Sequence, residues 1–196
     1  GLVSITPRYT SRDLELMPDV EGVRYEIIDG ELHVSRMPRW EHQYTSNAVG
    51  SALHVWDVQA GRGVTLTAPG LVFAEDDDVA PDIVWVSQAR FDAIVDEGGH
   101  FRAAPDLVVE VLSPGSRNER RDRELKLKLY SRQGVREYWI VDWRGREVQI
   151  YRREGAALHL VTTLVSDDTL TSPLLPGFAC PVVDLWPRSP NRSAPK

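Results

Sequence analysis

A carboxylate inside an apolar segment is the first sign of chemistry in this sequence. Glu110 interrupts residues 106–112, DLVVEVL, whose composition predicts a strand covered on both faces. Burying an unpaired carboxylate costs several kcal/mol. Glu110 therefore needs a cation from the protein, a bound metal ion, or a raised pKa that leaves it neutral. The structural alternative is a glutamate at an edge or a partly exposed position.

A second carboxylate, Asp82, follows Pro81 and precedes the apolar residues 83–86 of another predicted strand. Two such carboxylates can converge on one hard cation, and oxygen ligands favour Mg²⁺ or Mn²⁺ over zinc. A turn or cap is the alternative role for Asp82. Glu26, in the first arm of a predicted hairpin, is a candidate third acidic ligand, although pairing with His33 across the hairpin would explain it structurally.

Lys126 lies on the apolar side of a helix predicted over residues 118–133. With Asp122 at 0° and about 100° per residue, Lys126 falls at about 40°, between Leu129 at about 340° and Tyr130 at about 80°. A lysine on the buried side of a helix either meets a carboxylate or extends its ammonium group to water. The helix phase therefore makes Lys126 a candidate partner for a buried acid.

Charge is unevenly distributed along the chain. The totals of 23 basic and 29 acidic residues give a net charge of −6, which argues against a generic polyanion binder. Residues 115–136, however, carry eight basic and three acidic side chains, whereas residues 74–106 carry two basic and nine acidic ones. An acidic metal site beside a basic helix suits phosphodiester hydrolysis, and a solvated helix with paired charges is the alternative. The candidate phosphate contacts are Arg117, Arg120, Arg121 and Arg123.

The elements that position these residues form a mixed pattern. Asp29-Gly30 predicts a type I′ turn in a hairpin over residues 23–35, in which Glu26 faces His33. A helix over residues 41–60, ending near Gly61, should lie along one face of a sheet. Further strands are predicted over residues 64–66, 70–74, 79–86, 106–112, 137–142, 147–152 and 158–164, with an acidic turn at 75–78 and a short helix at 88–97.

This order predicts an α/β fold with one central mixed sheet flanked by helices and an N-terminal hairpin. We expect a single domain over residues 1–186 and a flexible tail over residues 187–196. The single cysteine, Cys180, excludes a disulfide framework and a CxxC zinc site. Phosphate-binding glycine motifs and membrane-length apolar segments are missing from the sequence, so we expect a soluble, cytoplasmic protein. The histidines at 42, 54, 100 and 159 lack metal-ligand spacing and are interpreted as structural.

Four segments of the chain closely resemble the Uma-two family of restriction-endonuclease-like proteins. They are YEIIDGEL at residues 25–32, PDIV at 81–84, DLVVEVLSP at 106–114 and DRELKLKLYSRQGVREYWIVD at 122–142. The resemblance extends over about residues 8–185, and its last block is the longest and most specific.

The resemblance implies a PD-(D/E)XK nuclease fold in which carboxylates on neighbouring strands bind Mg²⁺ or Mn²⁺. Asp82 and Glu110 would be the two acidic positions, with Glu26 as an additional site residue and metal ligand. The chain departs from the pattern at Leu112, where the family fold usually has lysine, and Lys126 would substitute for it. Lys126 would then orient the attacking water or stabilise charge on the phosphate.

The function implied is a metal-dependent endonuclease that hydrolyses DNA phosphodiester bonds. A homodimer is compatible with cutting two strands. Two alternatives stay open: a catalytically silent nuclease-fold module that binds DNA or a protein, and an enzyme that hydrolyses a small phosphate ester. The sequence specifies neither a target sequence nor a cut geometry.

Overall fold

Residues 6–190, which the computed structural model describes, form five α-helices, one π-helical segment, one 3₁₀ helix (Val182–Leu185) and twelve strands. The helices are α1 (Ser11–Leu16), α2 (Trp40–Ala60), α3 (Gln88–Ile94), α4 (Ser116–Arg120) and α5 (Lys126–Gln133), and a π-helical segment (Arg121–Leu125) joins the last two. The strands are β1 (Val23–Ile28), β2 (Glu31–Arg36), β3 (Gly63–Thr67), β4 (Leu71–Ala74), β5 (Asp77–Val79), β6 (Ile83–Ser87), β7 (Leu107–Val111), β8 (Glu137–Asp142), β9 (Glu147–Glu154), β10 (Ala157–Val165), β11 (Thr169–Leu170) and β12 (Cys180–Pro181).

The main sheet has six strands in the order β10-β9-β8-β7-β6-β3. Only the pairing of β7 with β8 is parallel among these strands. Every residue of β7 is buried, because helices cover both faces of the sheet. Val109 packs with Leu53 of α2 on one face, and Val108 packs with Leu129 of α5 on the other. The mixed sheet flanked by helices confirms the predicted fold class.

Alternation along β7 sets the direction of Glu110. Side chains two residues apart on a strand share a face, so Glu110 shares the face of Val108, which is covered by α5. The strand therefore directs its carboxylate towards the helix that carries Lys126.

The predicted hairpin belongs to a second sheet, with strands in the order β2-β1-β5-β4. Its turn has positive φ angles at Asp29 (47°) and Gly30 (74°), as a type I′ turn requires. Glu26 pairs with His33 across β1 and β2, in the predicted register. The sequence did not indicate that the hairpin would form this separate sheet.

The predicted acidic turn at residues 75–78 is confirmed only at Glu75 and Asp76, and the single strand predicted over residues 79–86 is wrong. Asp77–Val79 forms β5, which pairs with β1 and β4, and the chain leaves the sheet at residues 80–82 before β6 begins. Pro81 has no N–H to donate to a ladder, and the Asp82 N–H donates to the Glu110 side chain instead. The strand therefore breaks where the candidate site begins.

The predicted helix over residues 118–133 begins at Ser116 and is interrupted by the π-helical segment. The Lys126 N–H donates to the Arg121 carbonyl, five residues earlier. The Tyr138 hydroxyl donates to the Asp122 carbonyl at 2.7 Å, so this irregular turn has a buried partner. The helix ends at Gly134, as predicted, in a left-handed conformation with φ of 89°.

The segment up to Trp186 is packed against the core, whereas residues 188–190 are exposed. Leu185 and Trp186 are buried against the face of the main sheet that α2 covers, and Cys180 is buried with them, as expected of a core cysteine. Residues 191–196 of the predicted flexible tail lie outside the described residues. None of the helices in residues 6–190 combines the length and apolar character needed to cross a membrane.

Candidate active site

The four acidic and basic residues selected from the sequence converge at one place. Glu26 comes from the middle of β1, Asp82 immediately precedes β6, Glu110 lies in β7, and Lys126 begins α5. All four line one cavity of about 520 Å³ between the hairpin and the N-terminal part of α2. Two sheets and one helix therefore build the site together.

Lys126 joins two carboxylates from different sheets. Its Nζ lies 2.8 Å from Glu26 Oε2 and also donates to Glu110 Oε2. All three residues are 2% exposed. The Tyr130 hydroxyl, one turn further along α5, lies 3.5 Å from the same Glu110 oxygen. The inward direction of Lys126 predicted from helix phase is thus what the structure shows, and its partners are carboxylates rather than water.

Asp82 and Glu110 are held next to each other by reciprocal backbone contacts. The Asp82 N–H donates to Glu110 Oε1 at 2.9 Å, and the Val111 N–H donates to Asp82 Oδ2 at 2.8 Å. Each side chain accepts a bond from the backbone beside the other. The two carboxylates are therefore fixed side by side, each through the backbone of the segment that carries the other.

His42 is a site residue that the sequence interpretation missed. Its Nε2 lies 3.4 Å from Asp82 Oδ2, and its Nδ1 lies 3.1 Å from Gln43 Oε1. The signal was present, because His42 shares the buried face of α2 with Thr45, Val49 and Leu53, three or four residues apart. The helical arithmetic applied to Lys126 would have placed it facing the sheet.

Arg24 is a second missed residue. Its Nη1 donates to the Ala80 carbonyl at 2.8 Å and lies 3.8 Å from Asp82 Oδ1. Asp82 therefore has a histidine near one carboxylate oxygen and an arginine near the other.

A buried Arg121–Asp122 pair lies behind the site. Arg121 Nε and Nη2 donate to the two Asp122 oxygens at 2.9 and 3.3 Å, and its Nη1 donates to Ser35 and Asn118. Asp122 is 1% exposed, so it does not belong to the solvated helix face with paired charges that the sequence left open as an alternative. Its helix phase lay between those of Leu129 and Tyr130, so the signal for burial was present.

Of the four arginines predicted to contact phosphate, only Arg121 lines the cavity. Arg121 lines the cavity, but its donors are engaged with Asp122, Ser35 and Asn118. Arg117 is exposed, Arg120 pairs with Glu31 at 3.3 Å, and Arg123 bonds to Gln149; none of these three lines the cavity. Their role in binding phosphate stays a prediction.

Negative charge exceeds positive charge inside the site. Glu26, Asp82, Glu110 and Asp122 have side chains at most 12% exposed, and the enclosed fixed cations facing them are Lys126 and Arg121. Burial raises the pKa of Glu110 to about 8, with Asp122 and Asp82 adding to the shift and Lys126 opposing it. The excess negative charge thus disfavours ionisation of Glu110, and Lys126 is the cation that opposes this effect.

The neighbouring acids respond differently. Burial would raise the pKa of Glu26, but Lys126 and Arg121 outweigh it and lower the pKa. Burial also opposes ionisation of Asp82, yet its contact with His42 and the Val111 N–H lower its pKa. Burial opposes the charged form of Lys126, but Glu110 and Glu26 raise its pKa. The buried acids of the site therefore fall into two groups: the pKa is raised at Glu110 and Asp122 and lowered at Glu26 and Asp82.

Comparison with known proteins identifies the family and the fold. A family model, Uma2, described as "Putative restriction endonuclease", matches residues 11–183. The chain belongs to the Uma2 family. The crystal structure of a putative nuclease belonging to DUF820 from Anabaena variabilis ATCC 29413 matches with a TM-score of 0.72 and 18% identity, over 90% of this chain and 97% of that chain. This likeness confirms the fold. No curated protein matches the chain.

The donor set of this Uma2 protein is compatible with a hard cation. Within residues 6–190, no three His, Cys, Asp or Glu side chains are grouped as a ready-made metal site, and Lys126 lies between Glu26 and Glu110. The available ligands near Asp82 and Glu110 are carboxylate oxygens, which Mg²⁺ and Mn²⁺ prefer. The excess of carboxylates over cations is the charge that a divalent ion would balance. Metal binding by Asp82, Glu110 and Glu26 stays a prediction.

Proposed function

We propose that this Uma2 protein is a Mg²⁺- or Mn²⁺-dependent endonuclease that hydrolyses DNA phosphodiester bonds. The observation that supports it is the meeting of Asp82, Glu110 and Lys126 at the floor of one cavity. Adjacent carboxylates and a buried ammonium group are the combination that metal-assisted hydrolysis of a phosphate ester uses. Membership of a family described as restriction endonucleases agrees with this chemistry.

Asp82 and Glu110 are the residues that would hold the metal. A bound divalent cation would supply a water of lowered pKa and stabilise charge on the phosphate oxygens. Asp82 is already ionised and is oriented by His42 and the Val111 N–H, so it is ready to ligate. Because metal binding requires a deprotonated carboxylate, the raised pKa of Glu110 would weaken metal binding as pH falls.

Lys126 provides the positive charge for the transition state. Glu26 and Glu110 fix its ammonium group, so the group does not have to be ordered during the reaction. Its role would be to donate to a phosphate oxygen as negative charge develops there. In the net reaction, the water oxygen forms a bond to phosphorus, the bond from phosphorus to one sugar oxygen breaks, and one proton of the water ends on that sugar oxygen.

Asp82→Asn tests the proposal. We expect this variant to fold, because the amide retains an oxygen that can accept the Val111 N–H, and to cleave DNA at least about 10²-fold more slowly. Cleavage of a labelled oligonucleotide with Mg²⁺ or Mn²⁺ measures the effect. Asp167→Asn, at an exposed turn position, is the matched control and should cleave like the wild type. Full metal-dependent cleavage by Asp82→Asn would contradict the proposal.

A second candidate is a nuclease-fold protein that binds nucleic acid without cutting it. The ion pairs of Lys126 with Glu26 and Glu110 favour this candidate, because they satisfy the site without a metal. Calorimetric titration with Mg²⁺ and Mn²⁺ separates the two. Binding at millimolar metal that Asp82→Asn abolishes supports the enzyme, and absence of binding supports the silent module.

A further inference from the structure

The groups that would act on a phosphodiester lie at the bottom of the cavity, not at its rim. Glu26, Glu110 and Lys126 are 2% exposed, and the Asp82 side chain is 12% exposed. A single strand can enter such a pocket, as can a nucleotide drawn out of the duplex in the way that enzymes acting on bases do. An intact, stacked duplex does not bring its backbone to such a floor.

The volume of the cavity also fits a single nucleotide better than a duplex. Its volume of about 520 Å³ lies within the range of pockets that enclose one small-molecule-sized group, about 300–1,000 Å³. A nucleotide with its phosphate is a group of that class. A duplex is too wide to enter a cavity of this volume, since its major groove alone is about 12 Å wide.

The wall nearest the solvent carries arginines that the sequence interpretation did not select. Arg24, Arg36 and Arg39 line the cavity from the start of β1, the end of β2 and the loop before α2. Arg36 is exposed and makes no ion pair with any residue in 6–190. It is therefore a cation available to an anionic ligand.

Arg39 is held in a fixed orientation at the same wall. It makes two bonds to Glu41, at 2.7 and 3.2 Å, and its guanidinium lies 5.8 Å from the centre of a Trp143 ring. Guanidinium planes stack on unpaired bases, and cationic grooves follow the backbone of single strands. Arg36, which is in no ion pair within residues 6–190, and Arg39, which Glu41 holds in place, could therefore contact the phosphates and unpaired bases of a flexible single strand.

We propose that the cavity selects single-stranded DNA, or unpaired segments of DNA, over continuous duplex. One phosphodiester of the strand enters towards Lys126, and Arg36 contacts a phosphate of the same strand at the wall. The reaction at the floor rests on the proposed function, whereas strand selection is a property of the cavity and its arginines.

Binding without divalent metal tests strand selection independently of cleavage. Fluorescence anisotropy compares a labelled 20-nucleotide strand with the same strand in a duplex. We expect the single strand to bind at least about 10-fold more tightly.

Arg36→Ala should weaken single-strand binding and reduce the salt slope by about 0.7, as for one lost phosphate contact. Arg12→Ala, exposed on α1 outside the cavity, is the matched control. Equal or tighter binding of the duplex overturns the inference. If Arg36→Ala binds the single strand with unchanged affinity and salt slope, Arg36 does not contact a phosphate.

Cleavage assays then distinguish the inference from the proposed function. The substrates are the single strand, the duplex, a duplex with an unpaired flap, and bis(p-nitrophenyl) phosphate as a small diester, each with Mn²⁺. We expect cuts in the single strand and the flap. Cuts within paired DNA at equal rates overturn the inference and leave the endonuclease intact. If no substrate is hydrolysed while the single strand still binds preferentially, the proposed function fails and strand selection stands.

Discussion

Lys126→Met should lower the free energy of unfolding by about 3–5 kcal/mol at pH 8, the usual cost of removing one partner from a buried ion pair. Methionine keeps the length of the side chain but leaves the Glu26 and Glu110 carboxylates without their shared cation. For a chain of this size, each kcal/mol corresponds to about 2–4 °C in Tm. Urea unfolding and a thermal melt measure the effect.

The matched control is Lys128→Met, two residues further along the same helix. Lys128 is exposed, so its variant should stay within about 0.5 kcal/mol of the wild type. The loss in Lys126→Met should also be smaller at pH 6, because Glu110 can take up a proton there. The double variant Lys126→Met/Glu110→Gln should recover part of the stability at pH 8. Equal stabilities of the two single-lysine variants would show that Lys126 does not balance the buried acids.

Glu110→Gln should make the protein more stable than the wild type as pH rises. The fold raises the pKa of this carboxyl from 4.5 to about 8, so the folded state favours its neutral form. That contribution is fully present below about pH 4.5 and is lost as pH rises through 8. Glutamine stays neutral, so the advantage of the variant should grow by up to about 1.4 kcal/mol per pH unit within this window and level off above it.

Urea unfolding at pH 5, 6.5, 8 and 9 measures this difference. Glu154→Gln, at an exposed strand end, serves as the control and should differ from the wild type by a constant amount. A Glu110→Gln difference that is also constant with pH would contradict a raised pKa at Glu110. If Glu110→Gln is more stable than the wild type and Asp82→Asn loses cleavage, the acidic site is kept at a cost to the stability of the fold.

The parts of the site that local rules determine could be predicted. Helix phase placed Lys126 inward, an apolar strand marked Glu110 as buried, and the Asp29-Gly30 turn determined the register of Glu26. The same calculation of helix phase would have predicted that His42 and Asp122 are buried. They were missed because each was interpreted from its neighbours in sequence and not from its helix face.

Other parts depend on contacts between distant segments. Asp77–Val79 forms a strand although aspartate disfavours strands, because β1 and β4 supply partners on both sides. The π-helical segment likewise has its partner in Tyr138, on a different element. Single-sequence patterns do not contain such pairings. Metal binding and the arginine contacts with phosphate stay predictions after the fold is known.

The ion pair between Lys126 and Glu26 joins residues 100 positions apart in the chain. The second partner, Glu110, is only 16 positions from Lys126, so a fragment holding the β7–α5 unit could form half of the arrangement. The complete site exists only after the N-terminal hairpin has docked. A proteolytic fragment that lacks the hairpin but keeps β7 and α5 would retain Glu110 and Lys126, but it would have lost Arg24, Arg36 and one side of the cavity.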